Sequence, residues 1–198
     1  VPSDSMLPTM LAGDHVFVNK LAYGPRVPFT EIQFPGYREP ERGEVVVFHL
    51  GRGPRGIYPA AQRPEFSTGA CVKRLIGLPG DRVEVRDGLV HLNGKALPIE
   101  QTAETFTDSA GRVFRVQVET LGECRHRVLD DPRQAGIDMK PRTVPPNRYL
   151  FMGDNRDNST DSRFAQAARG VGFVERKDIV GRADRVMFSS AGSSMFAF

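Results

Sequence analysis

Short apolar and β-branched runs recur along the chain between clusters of glycine, proline and aspartate, and none is long enough for more than one strand. They fall at His15-Val16-Phe17-Val18, 44–48, 82–85, 89–92, 113–118 and 149–152. Runs of strand length bounded by turn residues predict a mostly β fold. The breaks agree. Pro79-Gly80-Asp81, Arg86-Asp87-Gly88 and Asn93-Gly94 each place residues that tolerate positive φ between two candidate strands, as a tight antiparallel connection requires. Helical periodicity is weak, and the best candidates, 5–12 and 162–168, are shorter than an average helix. Three segments rich in proline, glycine and charge, 23–42, 51–69 and 130–147, read as long loops. A chain of 198 residues has room for one continuous unit, with a smaller lobe inserted into its core.

Composition excludes some functions. The hydrophobic share of 39%, the charged share of 26% and the net charge of +3 are those of an ordinary water-facing protein. The arginines are scattered and form no basic block with interleaved aromatics, so no nucleic-acid partner is expected. The longest apolar stretches, such as Val45-Val46-Val47-Phe48, fall far short of the roughly 20 residues that cross a bilayer as a helix. The chain opens at Val1 without methionine and enters a functional-looking motif at once, so an N-terminal segment is expected to have been removed. Cys71 and Cys124 lie far apart without C-x-x-C spacing, which suits neither zinc nor a redox motif and leaves their pairing open.

Three segments carry the chemistry. Pro2-Ser3-Asp4-Ser5-Met6-Leu7-Pro8-Thr9-Met10, taken alone, is a turn or helix-capping signal. Cys71-Val72-Lys73-Arg74-Leu75-Ile76-Gly77-Leu78-Pro79-Gly80-Asp81 reads as an apolar strand ending in a tight turn. Period-two geometry puts Cys71, Lys73 and Leu75 on one face and Val72, Arg74 and Ile76 on the other. A strand lysine is ordinarily an edge residue with a snorkelling stem, but on a buried face desolvation lowers its pKa, as a general base requires. The third segment is Gly153-Asp154-Asn155-Arg156-Asp157-Asn158-Ser159-Thr160-Asp161-Ser162-Arg163. It is dense in hydrogen-bonding side chains, yet no starting aspartate gives the glycine and glutamate positions of an EF-hand calcium loop.

In this order, Ser-x-Ser-Met-x-Pro-Thr, Lys-Arg-x-x-Gly-x-Pro-Gly-Asp and the long Gly-Asp-Asn-Arg-Asp-Asn-Ser-x-Asp-Ser-Arg run closely resemble the boxes of bacterial type I signal peptidases. Arg42-Gly43-Glu44-Val45-Val46-Val47-Phe48 resembles a lesser box. The resemblance implies that Ser5 is a nucleophile, Lys73 its general base, and Ser159 a hydroxyl that orients the lysine. It implies that Ser3 joins the backbone N–H of Ser5 in an oxyanion hole. Asp161 and Arg163 become a supporting ion pair, and Gly153 and Asp154 the turn that delivers the loop. Val1, Pro2, Met6, Met10, Cys71 and Val72 occupy the positions of a substrate-binding wall, with plain core packing as the competing reading.

The same resemblance implies a catalytic core of residues 1–82 and 147–198, with a β-rich lobe of residues 83–146 inserted between. It implies a monomeric enzyme without metal or cofactor, whose partners are the signal-peptide region of secreted preproteins and a membrane lipid surface. The site would face outward from the bacterial cytoplasmic membrane, and cleavage would follow small residues in an Ala-x-Ala-like pattern. His15, His49, His91 and His126 accompany neither a G-x-S-x-G elbow nor an H-E-x-x-H helix, so each reads as an ordinary strand or loop residue. Two rivals remain. One is another serine-lysine peptidase, of the self-cleaving repressor type, which should carry a DNA-binding segment and lacks the long Asp-Asn-Arg loop, or of the conjugation-pilin maturing type; the other is a module that only holds signal peptides, which should have lost Ser5 or Lys73. The loop at 51–69 is longer than the family pattern, Cys71 stands where larger residues are common, and the tail at 189–198 matches no box.

Overall fold

The computed structural model describes residues 1, 3–25, 32, 34–50, 70–168 and 170–189. Pro2, the loop at 51–69 and the tail beyond residue 189 lie outside the described residues. The strands, in chain order, are β1 (Asp14–Asn19), β2 (Val45–His49), β3 (Ala70–Gly77), β4 (Arg82–Arg86), β5 (Leu89–Leu92), β6 (Lys95–Ala96), β7 (Ile99–Thr107), β8 (Val113–Leu121), β9 (Cys124–Asp130), β10 (Met139–Thr143), β11 (Arg148–Met152), β12 (Phe173–Glu175) and β13 (Ile179–Ser189). Among the described residues the helical elements are short 3-10 turns, at Asp4–Met6, Arg156–Asn158, Gln166–Ala168 and Arg176–Asp178. None is long and apolar enough to cross a membrane.

The strands form three antiparallel sheets. The largest has the order β1-β13-β2-β3-β11-β12, so its strands come from both ends of the sequence. The other two, β10-β4-β5-β6 and β7-β8-β9, are built from the stretch between. Turn chemistry fixes the small hairpins. Asp87-Gly88 and Asn93-Gly94 all have positive φ, between 51° and 84°, as the connections between β4, β5 and β6 demand.

Two apolar layers sandwich the central strands β3 and β11. On one side Phe48, Leu75, Tyr149 and Phe151 pack with Tyr23 and Val46, and the Phe48 and Phe151 rings stack 4.6 Å apart. On the other, Ile76, Leu150 and Met152 pack against Val83, Val85, Val90, Leu121, Met139 and Val144. Each large apolar side chain buried in this way contributes about 1.5–3 kcal/mol relative to exposure. The second layer joins the large sheet to β4, β5, β8 and β10, so these strands and the large sheet share one core. A third cluster, Leu7, Phe114, Val116 and Leu129, seats the first segment of the chain on β8 and β9.

The loop expected at 130–147 contains β10, which pairs with β4 at Met139–Val85 and Thr143–Arg82. Its proline and charged residues are tolerated because only Met139 is buried. Single 3-10 turns stand where helices were expected at 5–12 and 162–168, because the backbone bonds there close three-residue turns, Leu7 N to Asp4 O and Ala168 N to Ala165 O. Cys71 and Cys124 are not bridged to one another.

Candidate active site

Ser5 lies in the 3-10 turn Asp4–Met6, entered from an extended Ser3. The turn uses the N–H of Leu7, which bonds Asp4 O at 3.2 Å, and leaves the N–H of Ser5 outside its own bonding. Fully buried Met6 and Leu7 anchor the segment. Its backbone carbonyls are gripped by the acidic loop: Asn155 N donates to Ser5 O at 3.1 Å and Asn155 Nδ2 to Asp4 O at 3.1 Å.

Lys73 sits mid-strand on β3, paired opposite Val46 of β2 and only 7% exposed. Its Nζ shares a hydrogen bond with Ser5 Oγ, across 68 residues of sequence. Ser3 Oγ lies 3.2 Å from the same Ser5 oxygen. Burial lowers the lysine pKa, against the pull of Asp161, Cys71 and Asp154. Burial also raises the pKa of the Cys71 thiol.

The acidic loop follows β11 and is tied down at several points. Ser162 bonds Phe151 in both directions, Ser162 N donating to Phe151 O at 3.0 Å and Phe151 N donating to Ser162 Oγ at 2.9 Å. Asp161 accepts from Gly153 N at 3.0 Å and pairs bidentately with Arg163 at 2.9 Å for each bond. Burial opposes the charge of Asp161, yet Arg163 holds its carboxyl below the usual range. Gly153 is required by contact. A Cβ there would fall 2.3 Å from Ser159 Oγ and 2.4 Å from Ser5 O. The glycine therefore lets Ser159 and the Ser5 backbone close on one point. Ser159 Oγ is buried without a hydrogen-bond partner among the described residues, so the expected bond to Lys73 is not made in this conformation.

Asp154 points to the other face of β3. Arg74 Nε and Nη2 donate to its two oxygens at 2.7 and 2.6 Å, Thr9 Oγ1 donates to Oδ2 at 2.5 Å, and Arg74 Nη1 donates to Gly43 O at 2.6 Å. Burial opposes ionisation here too, but the charge of Arg74 and its bonds keep the carboxyl well below its ordinary value. Arg74, Thr9 and Asn155 were not among the residues singled out from sequence. Arg74 carried a usable signal: a second cation beside Lys73, on the opposite face of an apolar strand, needs a carboxylate, and the acidic loop was the available source.

Of the expected substrate-binding wall, Met6, Met10 and Cys71 are buried, and Cys71 joins the cluster of Phe48 and Leu75. Val1 and Val72 are half-buried. Of these five, only Val1 and Val72 keep much surface.

Fold and site together define a class: an antiparallel β protein that holds a serine hydroxyl and a buried lysine amine in direct contact, backed by a bonded acidic loop. The chain belongs to the signal peptidase family, peptidase S26, whose sequence model matches residues 1–188. It is 34% identical over 195 residues to "Signal peptidase I" of Pseudomonas aeruginosa, covering 96% of this chain and 63% of that protein. It is 32% identical over 209 residues to "Signal peptidase I" of Rickettsia canadensis, covering 96% and 71%. The chain thus spans a little under two thirds of the Pseudomonas relative. A crystal structure of a signal peptidase I from Enterococcus faecalis V583 is 27% identical and covers 73% of this chain and 96% of its own, with a TM-score of 0.37, too low to bear on the fold.

Proposed function

We propose that this chain is the catalytic region of a type I signal peptidase, a serine endopeptidase that removes signal peptides from secreted preproteins after small residues. The observation that carries the reading is the hydrogen bond between Ser5 Oγ and an amine that burial inclines to give up its proton. A solvated lysine, with pKa about 10.4, is almost never neutral at neutral pH, whereas one lowered to about 7 or 8 serves as a base.

Neutral Lys73 takes the Ser5 proton as Oγ attacks the scissile carbonyl carbon. The oxyanion that forms is met by the Ser5 N–H and the Ser3 hydroxyl, donors of a kind worth about 2.7 to 4 kcal/mol each. Collapse breaks the C–N bond, the Lys73 ammonium protonates the departing amine, and an ester on Ser5 remains. A water deprotonated by the same lysine then attacks the ester, and the Ser5 oxygen leaves with the proton. Asp161 and Arg163 hold the loop through Gly153, Asp154 fixes it to the back of β3, and the buried Ser159 hydroxyl, without a partner of its own among the described residues, is the group assigned to orient the amine.

The proposed division is a core of residues 1–82 and 147–198 with an inserted lobe of residues 83–146. It is supported by the large sheet drawing its strands from residues 14–77 and 148–189. Val1, Met6, Met10, Cys71 and Val72 would shape the wall for the residues before the cut, and the substrate would be met at a membrane surface outside the cytoplasm.

The test is cleavage of a detergent-solubilised preprotein by wild type, Ser5→Ala and Lys73→Ala. Wild type is expected to cut once, after a small residue, and both folded variants to leave the preprotein intact. Cleavage by either variant would overturn the mechanism, and binding without cleavage by wild type would make the domain a holding module.

A further inference from the structure

The inserted lobe does more than cover the core: two of its strands hold the loop that holds the nucleophile. Leu129 of β9 forms a parallel bridge with Asn155, its N–H donating to Asp154 O at 2.9 Å. Asp131 N donates to Asp157 Oδ2 at 2.8 Å. Beside these two ties lies a clamp formed by side chains alone. Glu119, at 0% exposure near the end of β8, accepts from Arg156 Nη1 at 2.7 Å and from Nη2 at 2.6 Å. The same guanidinium donates Nε to Gly153 O at 3.2 Å, so it spans the tetrapeptide 153–156 from one end to the other. Arg163 then caps it, donating Nη2 to Arg156 O at 2.6 Å. Within that clamped tetrapeptide sits Asn155, whose two donors hold the carbonyls of Asp4 and Ser5.

A buried ion pair adds little stability over an apolar pair of the same volume, because removing two charges from water offsets most of their attraction. What it does supply is direction. A bidentate guanidinium–carboxylate contact fixes both distance and plane, which an apolar contact does not. His126 Nε2 lies 3.2 Å from Glu119 Oε1, the oxygen that also accepts from Arg156 Nη2, and so lines the same buried carboxylate. Burial holds the carboxylate's environment dry, yet Arg156 and His126 keep the group ionised well below the usual range.

We infer that Glu119 of the inserted lobe is a positioning residue for the peptidase reaction, setting the Ser5 oxygen against Lys73 through Arg156 and Asn155. The inference rests on the reading of Ser5 as nucleophile and Lys73 as base. Glu119 touches no reacting atom, and its loss displaces Ser5 by a fraction of an ångström while leaving the surface that meets substrate in place.

The experiment measures kcat and KM for preprotein cleavage, with thermal unfolding, in Glu119→Gln, Arg156→Lys and the double variant. Glu104→Gln, from an exposed ion pair of the same lobe, is the control. Expected are a fall in kcat of about 10- to 100-fold in each single variant with KM within about twofold, and no further fall in the double variant, because both act through one contact. The control keeps the wild-type kcat. A folded Glu119→Gln with wild-type kcat, a change confined to KM, additive losses in the double variant, or loss of the fold in both single variants would each overturn the inference. Activity in Ser5→Ala would instead remove the reading beneath it, whatever Glu119 does.

Discussion

Lys73 and Arg74 are neighbours on one strand, both cationic by nature and almost equally buried at 7% and 5% exposure, yet the two faces of β3 treat them in opposite ways. Burial presses each toward neutrality. On the Arg74 face the bonded carboxylate of Asp154 reverses that pressure, and the guanidinium keeps its charge more firmly than in water. On the Lys73 face the bonded partner is a hydroxyl, while Asp161 and Asp154 act only through space, so burial wins. Burial alone does not decide whether a charge survives; the group that fills the hydrogen-bonding position does.

The largest break in that contrast should come from Lys73→Arg. It keeps a cation on the dry face but cannot be deprotonated, so preprotein cleavage is expected to fall on the order of 10^3-fold, and a loss under tenfold in a kinetic assay would end the role of the amine as base. On the opposite face, Asp154→Ala strands a buried guanidinium. A loss of about 3–5 kcal/mol is expected by thermal or denaturant unfolding, and a loss below about 1 kcal/mol would mean that something other than Asp154 holds the Arg74 charge. Gly153→Ala pushes the loop away from both Ser159 and Ser5 O, and a fall in kcat of about 10- to 100-fold is expected. Unchanged kcat there would show that the close approach is dispensable.

Lys73→Met sharpens the comparison through pH. The folded-state pKa is depressed, so between it and the ordinary value near 10.5 the unfolded chain binds more protons than the folded one. Wild-type stability therefore rises with pH across that window, by about 1.4 kcal/mol per unit, and the methionine variant lacks this rise. The stabilisation by methionine should be greatest at neutral pH and shrink toward pH 10, as urea unfolding at several pH values would show; a gain that did not change with pH would mean a solvated amine, and one that grew with pH an amine held charged. Cleavage by wild type should climb with pH through the same depressed pKa. The smallest effect is expected for Arg125→Ala, which removes a pair with Glu100 that is more than 60% exposed on both sides. Stability should change by no more than about 0.5 kcal/mol, because water already screens the pair. A larger loss would show that exposed pairs on the lobe behave like the buried ones beside the site.

Legibility in the sequence followed packing. Strands β2, β4, β5 and β11 alternate or run apolar because at least one face is buried, and their positions are readable to within a residue or two. Strand β7, Ile-Glu-Gln-Thr-Ala-Glu-Thr-Phe-Thr, shows no such pattern because it is mostly exposed and is held by its ladder to β8. Strand β13 is hidden by its charges and by Gly181, where a side chain would meet Asn19 O at 2.6 Å. At the site, Ser5, Lys73 and the acidic loop stood out through motif. Glu119 did not, because it is a single polar residue in an unremarkable strand whose partner Arg156 lies 37 residues on, and His126, facing it across the β8–β9 hairpin, is equally plain in sequence.

By itself the sequence determined the strand-and-turn grammar and the residue types of the Ser5–Lys73 pair, since both depend on local spacing and side-chain chemistry. Which face of β3 would be dry and which would carry a carboxylate, and that β8 and β9 would bond the loop beneath Ser5, were decided only by the tertiary structure. Desolvation and ion pairing depend on what lies within a few ångströms in space, and here those neighbours are separated by 37 residues for Arg156 and Glu119, 68 for Lys73 and Ser5, and 80 for Arg74 and Asp154.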